Sequence, residues 1–213
     1  MSKQILDIKL SECGDFVYIK FTDGEYFKIS SYDWYGLDFA KKKAETVSDS
    51  QFSMLVMLDE CSKAKNKLIS LLSYSGNSKK GFAQKLKRYG FSEESINYAL
   101  AFAEEKKLIS DENYAEALIH ELVNIKKYGP IRVKQEMYRH GISENLTNSM
   151  IEVYFEKDEN GLSQFDKNML DMAIIKSKKF DLNDKSSKEK LFASLNRLGY
   201  EYTRISKLRF NKK

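Results

Sequence analysis

The sequence has few cysteines and no long apolar run. Cys13 and Cys61 are the only cysteines in 213 residues and belong to no paired motif, which predicts reduced thiols rather than a disulfide framework. The longest apolar runs are far shorter than a membrane span. The first ten residues mix Lys3 and Asp7 with apolar side chains, unlike a secretory signal. The sequence therefore predicts a cytoplasmic protein without a membrane partner.

Motifs for catalysis and cofactor binding are also missing. The ten glycines form neither Gly-x-x-x-x-Gly-Lys nor Gly-x-Gly-x-x-Gly, which argues against a nucleotide-binding loop. His120 and His140 lack Cys or acidic partners at the spacing of metal ligands. Adjacent acids such as Glu93-Glu94 do not share a helical face, and no nucleophile motif appears. We therefore predict a non-enzymatic protein with no cofactor and no metal site.

The N-terminal thirty residues have the pattern of short strands. Leu6, Ile8 and Leu10 alternate with polar residues, so one face of this segment should be buried. Two further apolar segments, Phe16–Phe21 and Glu25–Ile29, flank an Asp-Gly pair that is typical of a hairpin turn. Residues 1–30 are therefore predicted to form a small antiparallel sheet of three strands, which needs a helix to cover its apolar face.

Helical patterns begin after residue 30. A short aromatic-rich helix is predicted over Ser31–Phe39, and Ser48 is placed to cap a longer helix. Residues 31–62 are assigned to these linking helices. The apolar stripe of the long helix is predicted to contain Met54, Leu58, Cys61, Leu68 and Leu72.

A repeat follows, centred on three glycines. Segments around Gly90, Gly141 and Gly199 align without gaps, and each has an arginine two residues before the glycine and an apolar residue directly after it. This is the pattern of a helix C-terminus, because glycine adopts the left-handed conformation cheaply and the next residue packs back onto the last turn. Ser92 and Ser143 are suitable N-caps for the helices that follow.

Another amphipathic helix precedes each pair of helices that a glycine joins, which predicts units of three helices. Because one such unit cannot bury all its apolar surface, neighbours should stack. The predicted fold is mostly α: three tandem three-helix repeats in an elongated curved array, preceded by the small sheet and the linking helices. The predicted preceding helices are Lys63–Leu72, Glu112–Lys126 and Gln164–Lys178, and the predicted repeats are 63–107, 108–157 and 163–210.

Cations on the repeat helices form the candidate binding surface. The net charge is +5, and the whole excess lies after residue 75. With Phe82, Leu86 and Tyr89 inward in the first repeat, and Ile131, Val133 and Met137 inward in the second, the basic side chains should project. Corresponding positions in stacked repeats would line one surface that can follow a nucleic-acid backbone or an acidic protein groove. The alternative is an ordinary solvated face. The candidate residues are Lys80, Lys87, Arg88, Lys126, Lys127, Arg132, Lys134, Arg139, Arg197, Arg204, Lys207 and Arg209.

Several segments resemble the RecX family. Ser78, Lys85-Leu86 and Gly90-Phe91 match the pattern of its first repeat, and Asp111–Ala115 resembles the opening of its second. Tyr128-Gly129-Pro130, with Val133, Glu136 and Gly141-Ile142, matches the Gly-Pro helix start and Gly-Ile end that follow. Departures are Asn77 in place of an arginine, Gly81 in place of an acid, Ser110 in place of an aspartate, and His120-Glu121 where an arginine often follows.

The resemblance implies a regulator of recombination. RecX proteins bind the filament that RecA recombinase forms on single-stranded DNA, which would hinder filament growth, ATP turnover and strand exchange, or cap filament ends. Contacts with single- or double-stranded DNA would be weak and independent of sequence. One alternative is a direct nucleic-acid-binding module of transcription or DNA repair, and another is a structural adaptor that uses the aromatic N-terminal sheet and the Trp34 region. The absence of a long heptad pattern favours a monomer.

Overall fold

The computed structural model describes residues 3–179 and 184–207. The chain is mostly helical with a small N-terminal antiparallel sheet, as predicted. It divides into two compact units, Met1–Ile109 and Ser110–Lys213, which we describe separately. Within the described ranges, no helix is both long enough and apolar enough to cross a lipid bilayer.

The strands and helices have the following bounds. The strands are β1 (Lys3–Leu10), β2 (Phe16–Phe21), β3 (Tyr26–Ser30) and β4 (Thr46–Val47). The first unit also contains α1 (Ser31–Gly36), α2 (Asp49–Leu72), α3 (Lys79–Arg88) and α4 (Glu93–Glu105). The second unit contains α5 (Asp111–His120) with a π-helical turn (Glu121–Ile125), α6 (Pro130–Arg139), α7 (Glu144–Glu152) with a 3-10 turn (Val153–Phe155), α8 (Gln164–Ser177), α9 (Lys185–Asn196) and α10 (Tyr202–Ile205).

The sheet has four strands rather than the three predicted, in the order β3-β2-β1-β4. The additional strand, Thr46–Val47, is only two residues long and pairs with the start of β1, so it has no period-two pattern to detect. The predicted hairpin is present, and Gly24 has a φ of 94° in its turn. One face of the sheet is buried, with Val17, Ile19 and Ile29 in the core.

Helix α2 covers this apolar face and also protects the free edge of β3. Ser48 caps α2 as predicted and forms a capping box with Gln51. At the sheet edge, the Lys28 backbone N–H donates to Asp59 Oδ1 (2.8 Å) and the Ser30 N–H donates to Ser62 Oγ (3.1 Å). Both donors belong to an edge strand, whose unpaired N–H groups could otherwise bind another strand.

The predicted apolar stripe of α2 is partly wrong. Leu58, Cys61 and Leu68 are buried as predicted, but Met54 is exposed and Leu72 is half-buried. Leu55 takes the core position instead of Met54. α2 runs without a break from the sheet into the first repeat. Its N-terminal half therefore faces the sheet and its C-terminal half faces α3 and α4, and no single stripe serves both.

The three-helix repeats are present, with two corrections to their buried faces. Phe82 and Leu86 are buried in the first repeat, but Tyr89 is 57% exposed because α3 ends there. Its ring lies 3.8 Å from the Lys67 ammonium instead. In the second repeat the buried face of α6 begins at Pro130, followed by Val133 and Met137, so Ile131 points outward and is 43% exposed.

Candidate partner-binding surface

Each repeat contains the same helix-ending turn. Gly90, Gly141 and Gly199 all have positive φ, at 86°, 83° and 93°. In each turn the apolar residue after the glycine donates its N–H to a carbonyl five residues earlier: Phe91 to Leu86, Ile142 to Met137 and Tyr200 to Leu195. This is the Schellman arrangement, in which the left-handed glycine lets two backbone N–H groups satisfy carbonyls of the last helical turn. The glycine pattern in the sequence thus predicts the turn correctly.

Three arginines occupy equivalent places in these turns. Arg88, Arg139 and Arg197 each lie two residues before the glycine, and all three are exposed. Arg88 and Arg139 are the last residues of α3 and α6, and Arg197 is the C-cap residue of α9. At each of these positions a cation complements the helix dipole. Arg139 binds Glu136 at 3.1 Å, and the Arg197 Nε donates to the Ala193 carbonyl at 3.4 Å.

None of the other candidate cations has a cation at the equivalent position of all three repeats; Arg132, for example, corresponds to Gly81 and Lys190. Counted from the glycines, Lys87 corresponds to Tyr138 and Asn196, and Lys134 corresponds to Ala83 and Phe192. The regular row of cations predicted from the repeat is therefore limited to the arginines.

Three of the candidate cations in the second unit form ion pairs; the pair of Lys126 is exposed, and those of Lys127 and Arg204 are partly buried. Lys126 binds Glu121 at 2.9 Å, and this hydrogen-bonded pair lowers the pKa of Glu121 and raises the pKa of Lys126. Lys127 binds Asp171 at 2.5 Å, and Arg204 lies 3.4 Å from Asp166. Surface ion pairs of this kind contribute only about 0–1 kcal/mol. A partner's phosphate or carboxylate can therefore replace the internal acid at little cost.

Arg132 has a structural role instead of projecting freely. It is half-buried, its Nη1 donates to the Arg197 carbonyl at 3.0 Å, and its guanidinium lies 4.1 Å from the centre of the Tyr128 ring. Its Nε is also 3.7 Å from Glu136. These contacts fix the side chain against the end of α9.

The remaining candidates are exposed, with one outside the described residues. Arg88, Lys87, Lys134 and Lys207 form no ion pair with any residue that the structure describes. Lys80 is exposed on the first turn of α3. Arg209 lies outside the described residues.

A junction within the second unit holds the second and third repeats together. The N-terminus of α6 lies against the C-terminus of α9, where Gly129 N–H donates to the Leu198 carbonyl (2.8 Å) and Ile131 N–H donates to the Gly199 carbonyl (3.2 Å). The free donors of one helix end thereby satisfy the free acceptors of the other. The Tyr200 hydroxyl adds a 2.8 Å hydrogen bond to the Lys127 carbonyl.

Glycine is required on both sides of this junction. A Cβ on Gly129 would lie 2.4 Å from the Gly199 carbonyl oxygen, and a Cβ on Gly199 would lie 2.4 Å from the backbone nitrogen of Arg132. The Gly129-Pro130 pattern predicts a helix start but not this contact, because the spacing between residues 129 and 199 carries no periodic signal.

A groove between α6 and α7 was also missed. Its volume is about 280 Å³, and Tyr138 at its side is 71% exposed. The Asn148 Oδ1 atom is buried there without a hydrogen-bond partner among the described residues, which is a cost unless a donor reaches it. The groove is lined by Lys134, Gln135, Tyr138, Ile142, Glu144, Thr147 and Asn148.

Comparison with known proteins decides the family. Residues 110–149, which contain α5, α6 and part of α7, match a family model described as the second three-helix domain of RecX. The regulatory protein RecX of Caldanaerobacter subterraneus subsp. tengcongensis is 30% identical over 143 residues, which are 67% of this chain and 71% of that protein. The chain belongs to the RecX family.

Other members give consistent results. A Staphylococcus aureus regulatory protein RecX is 29% identical over 167 residues, or 78% of this chain and 59% of that protein. A crystal structure of a regulatory protein RecX matches 96% of this chain and 98% of its own with a TM-score of 0.71 at 18% identity. The crystal structure of RecX from Lactobacillus salivarius matches 70% of this chain and 93% of its own, with a TM-score of 0.58 at 22% identity. The two structures share the RecX fold with this chain.

Asn77 and Gly81, the two departures noted for the first repeat in the family resemblance, lie next to each other in the structure. A Cβ on Gly81 would lie 2.1 Å from Asn77 Oδ1, and the same oxygen accepts the Ser78 N–H at 3.0 Å. In this conformation the asparagine side chain occupies the space that a side chain at position 81 would need.

Proposed function

We propose that this RecX-family chain binds the RecA filament on single-stranded DNA and restrains it. Bound protein hinders filament growth, ATP turnover and strand exchange, and thereby regulates DNA recombination and repair in the cytoplasm. The chain needs no catalytic residue for this role, because preferential binding to one state of the filament shifts the equilibrium between states. It acts as a monomer.

The observation that carries the proposal is a set of exposed cations that form no ion pair with any residue in the described parts of the chain. Arg88 and Lys87 lie at one helix end of the first unit, and Lys134 and Lys207 lie in the second. A cation without an internal partner gains more from a phosphate or carboxylate of another molecule, because no existing ion pair has to break. Such contacts are sequence-independent and sensitive to salt.

The groove between α6 and α7 supports a second point of contact. Tyr138 offers an exposed aromatic ring, Lys134 offers a charge at its side, and Asn148 Oδ1 lacks a donor among the described residues. Exposed tyrosines beside a concave, partly apolar surface are typical of interface hot spots. We assign this groove to a protein surface of the filament, with the exposed Tyr138 ring as its aromatic contact.

The test is the ATPase activity of RecA on single-stranded DNA, measured with increasing amounts of the protein. We expect the ATPase rate and the filament length, read by electron microscopy, to fall at or below equimolar protein. If neither changes, the proposal fails. Sequence-specific binding to duplex DNA without RecA would instead support the direct nucleic-acid-binding alternative.

Charge reversal locates the contact. A Lys87→Glu, Arg88→Glu, Lys134→Glu triple variant should weaken inhibition about tenfold or more and reduce its salt dependence, because rim charges contribute through electrostatic attraction. A Lys185→Glu, Lys188→Glu, Lys190→Glu triple variant is the matched control, since it changes the net charge by the same amount at lysines that are exposed on α9 and lie outside the candidate set. An equal loss with the control would show that only overall charge matters.

A further inference from the structure

The solvent face of the N-terminal sheet carries aromatic rings and lysines in alternation. Strand pairing places Tyr18 between Lys9 and Lys28, and places Lys20 beside Tyr26. Phe16 continues the same face of β2. We call the surface of these six residues, Lys9, Phe16, Tyr18, Lys20, Tyr26 and Lys28, the sheet platform.

The rings of the sheet platform are already arranged in layers. Tyr18 and Tyr26 are stacked, with their ring centres 5.8 Å apart and their planes 14° from parallel. Tyr26 is 54% exposed. The Lys28 ammonium lies 4.0 Å from the centre of the Phe16 ring. A flat ligand can therefore continue the stack on Tyr26 with a cation close by.

The charge of the sheet platform favours an anion. It contains three lysines, and the acid that shares this face, Asp7, is bound by Lys43 (2.6 Å) and Lys9 (3.7 Å). The hydrogen bond from Lys43 is the main reason that the pKa of Asp7 is lowered. Asp59 lies at the adjacent edge of β3, where it is occupied by the Lys28 N–H and by Lys63.

We propose that the sheet platform binds single-stranded DNA, with bases stacking on Tyr26 and Tyr18 and phosphates contacting Lys9, Lys20 and Lys28. Flat rings combined with cations match a strand whose bases are unpaired, because every base offers a face to an aromatic ring and every linkage carries a negative charge. Paired bases in a duplex are stacked on each other and cannot reach the rings. This site is separate from the repeat cations and does not depend on the proposed RecA interaction.

The competing use of a sheet as a template for a peptide strand is disfavoured at β3. Asp59 and Ser62 of α2 already accept the Lys28 and Ser30 N–H groups at its free edge. A peptide that paired with this edge would first have to displace α2, which also covers the apolar core.

The experiment separates base stacking from charge. Fluorescence anisotropy of the full chain is measured with a labelled fifteen-residue oligothymidylate and with an abasic strand of the same length and charge. We expect tighter binding to the strand with bases. Tyr26→Ala should reduce that affinity about fivefold or more, since one stacked base contributes ~1–3 kcal/mol, and it should leave abasic binding unchanged. Tyr26→Phe should retain the preference.

Two further variants act as controls. Lys20→Ala should weaken binding to both strands equally, because it removes a phosphate contact. Tyr74→Ala, at a tyrosine that is 84% exposed in the loop after α2, should change neither. A 2-aminopurine base in the strand gives a second readout, since its fluorescence falls when it stacks on the wild-type protein and less so on Tyr26→Ala.

Equal affinity of the wild type for abasic and thymidylate strands would overturn the proposal, as would an equal loss with Tyr74→Ala. An oligodeoxyuridylate and an oligouridylate of the same length differ only in the sugar: equal or tighter binding of the RNA would overturn the assignment to DNA. Since these assays contain no RecA, their failure leaves the ATPase test of the proposed function intact, and the reverse also holds.

Discussion

The junction between the second and third repeats makes a sharp prediction about alanine at Gly129. Its φ is negative, at −76°, so alanine fits the backbone conformation. The added Cβ, however, would lie 2.4 Å from the Gly199 carbonyl oxygen, 2.5 Å from its carbon and 2.6 Å from the Tyr200 nitrogen. Because all three are backbone atoms, no side-chain rotation relieves the clash, and α6 has to move away from α9.

The magnitude follows from what that movement breaks. A shift of about 1 Å disrupts the hydrogen bonds of the Gly129 and Ile131 N–H groups, each contributing about 1 kcal/mol. Overpacking of a tight contact costs about 1–3 kcal/mol more. We therefore expect Gly129→Ala to destabilise the junction by about 3–5 kcal/mol.

A matched glycine separates steric cost from backbone strain. Gly90 lies in the turn of the first repeat that corresponds to the Gly199 turn of the third. It has a φ of 86°, and an added Cβ would have nothing within 4 Å. Gly90→Ala thus carries only the cost of a left-handed alanine, about 1–2 kcal/mol. Gly199→Ala combines both effects and should be the most damaging of the three, at about 4–7 kcal/mol.

Hydrogen exchange with mass spectrometry gives a local measurement. Gly129→Ala should accelerate exchange in peptides of α6 and α9 by about 150-fold or more, which corresponds to about 3 kcal/mol or greater. Gly90→Ala should affect peptides of α3. If Gly129→Ala leaves exchange in α6 and α9 within about threefold of wild type, the two glycines do not form the contact described above.

Two further predictions concern stability. Lys107 follows the C-cap of α4, has a φ of 53° and lies in a Schellman turn. Lys107→Gly should therefore stabilise the protein by about 0.5–1 kcal/mol in urea denaturation. A loss of stability would refute this. The pKa of Asp158 is lowered to about 2, chiefly by its hydrogen bond with Lys167; its contribution is therefore present above about pH 4 and is lost as the pH falls toward 2. Asp158→Asn should make the loss of stability in that window shallower, and an unchanged acid-denaturation curve would contradict this.

The glycine-centred turns could be predicted because they depend on local physics. Gly90, Gly141 and Gly199 are marked by the only residue that adopts the left-handed conformation cheaply, and the serine caps at Ser48 and Ser92 obey equally local rules. The same locality explains the hairpin of β2 and β3. The predicted periodicity was wrong at two helix ends. It placed Tyr89 in the core although α3 ends there, and it placed Ile131 in the core although the buried position is Pro130.

The candidate surface was less predictable. The sequence alone determined that cations accumulate after residue 75, that an arginine recurs before each glycine, and that the segment around Gly129-Pro130 resembles RecX. It gave no indication that Arg132 would be held by the Arg197 carbonyl while Lys134, two residues on, stays exposed. Which charges are neutralised depends on the acids and carbonyls that folding brings beside them.

Local propensity and periodicity therefore determined the helices, the turns and the family resemblance, since each depends on residues close together in the chain. Only the tertiary structure decided the close contact of Gly129 with Gly199, the groove between α6 and α7 and the aromatic face of the sheet. These features arise between residues far apart in sequence or on neighbouring strands, where the interaction energy depends on three-dimensional distance and leaves no regular spacing to detect.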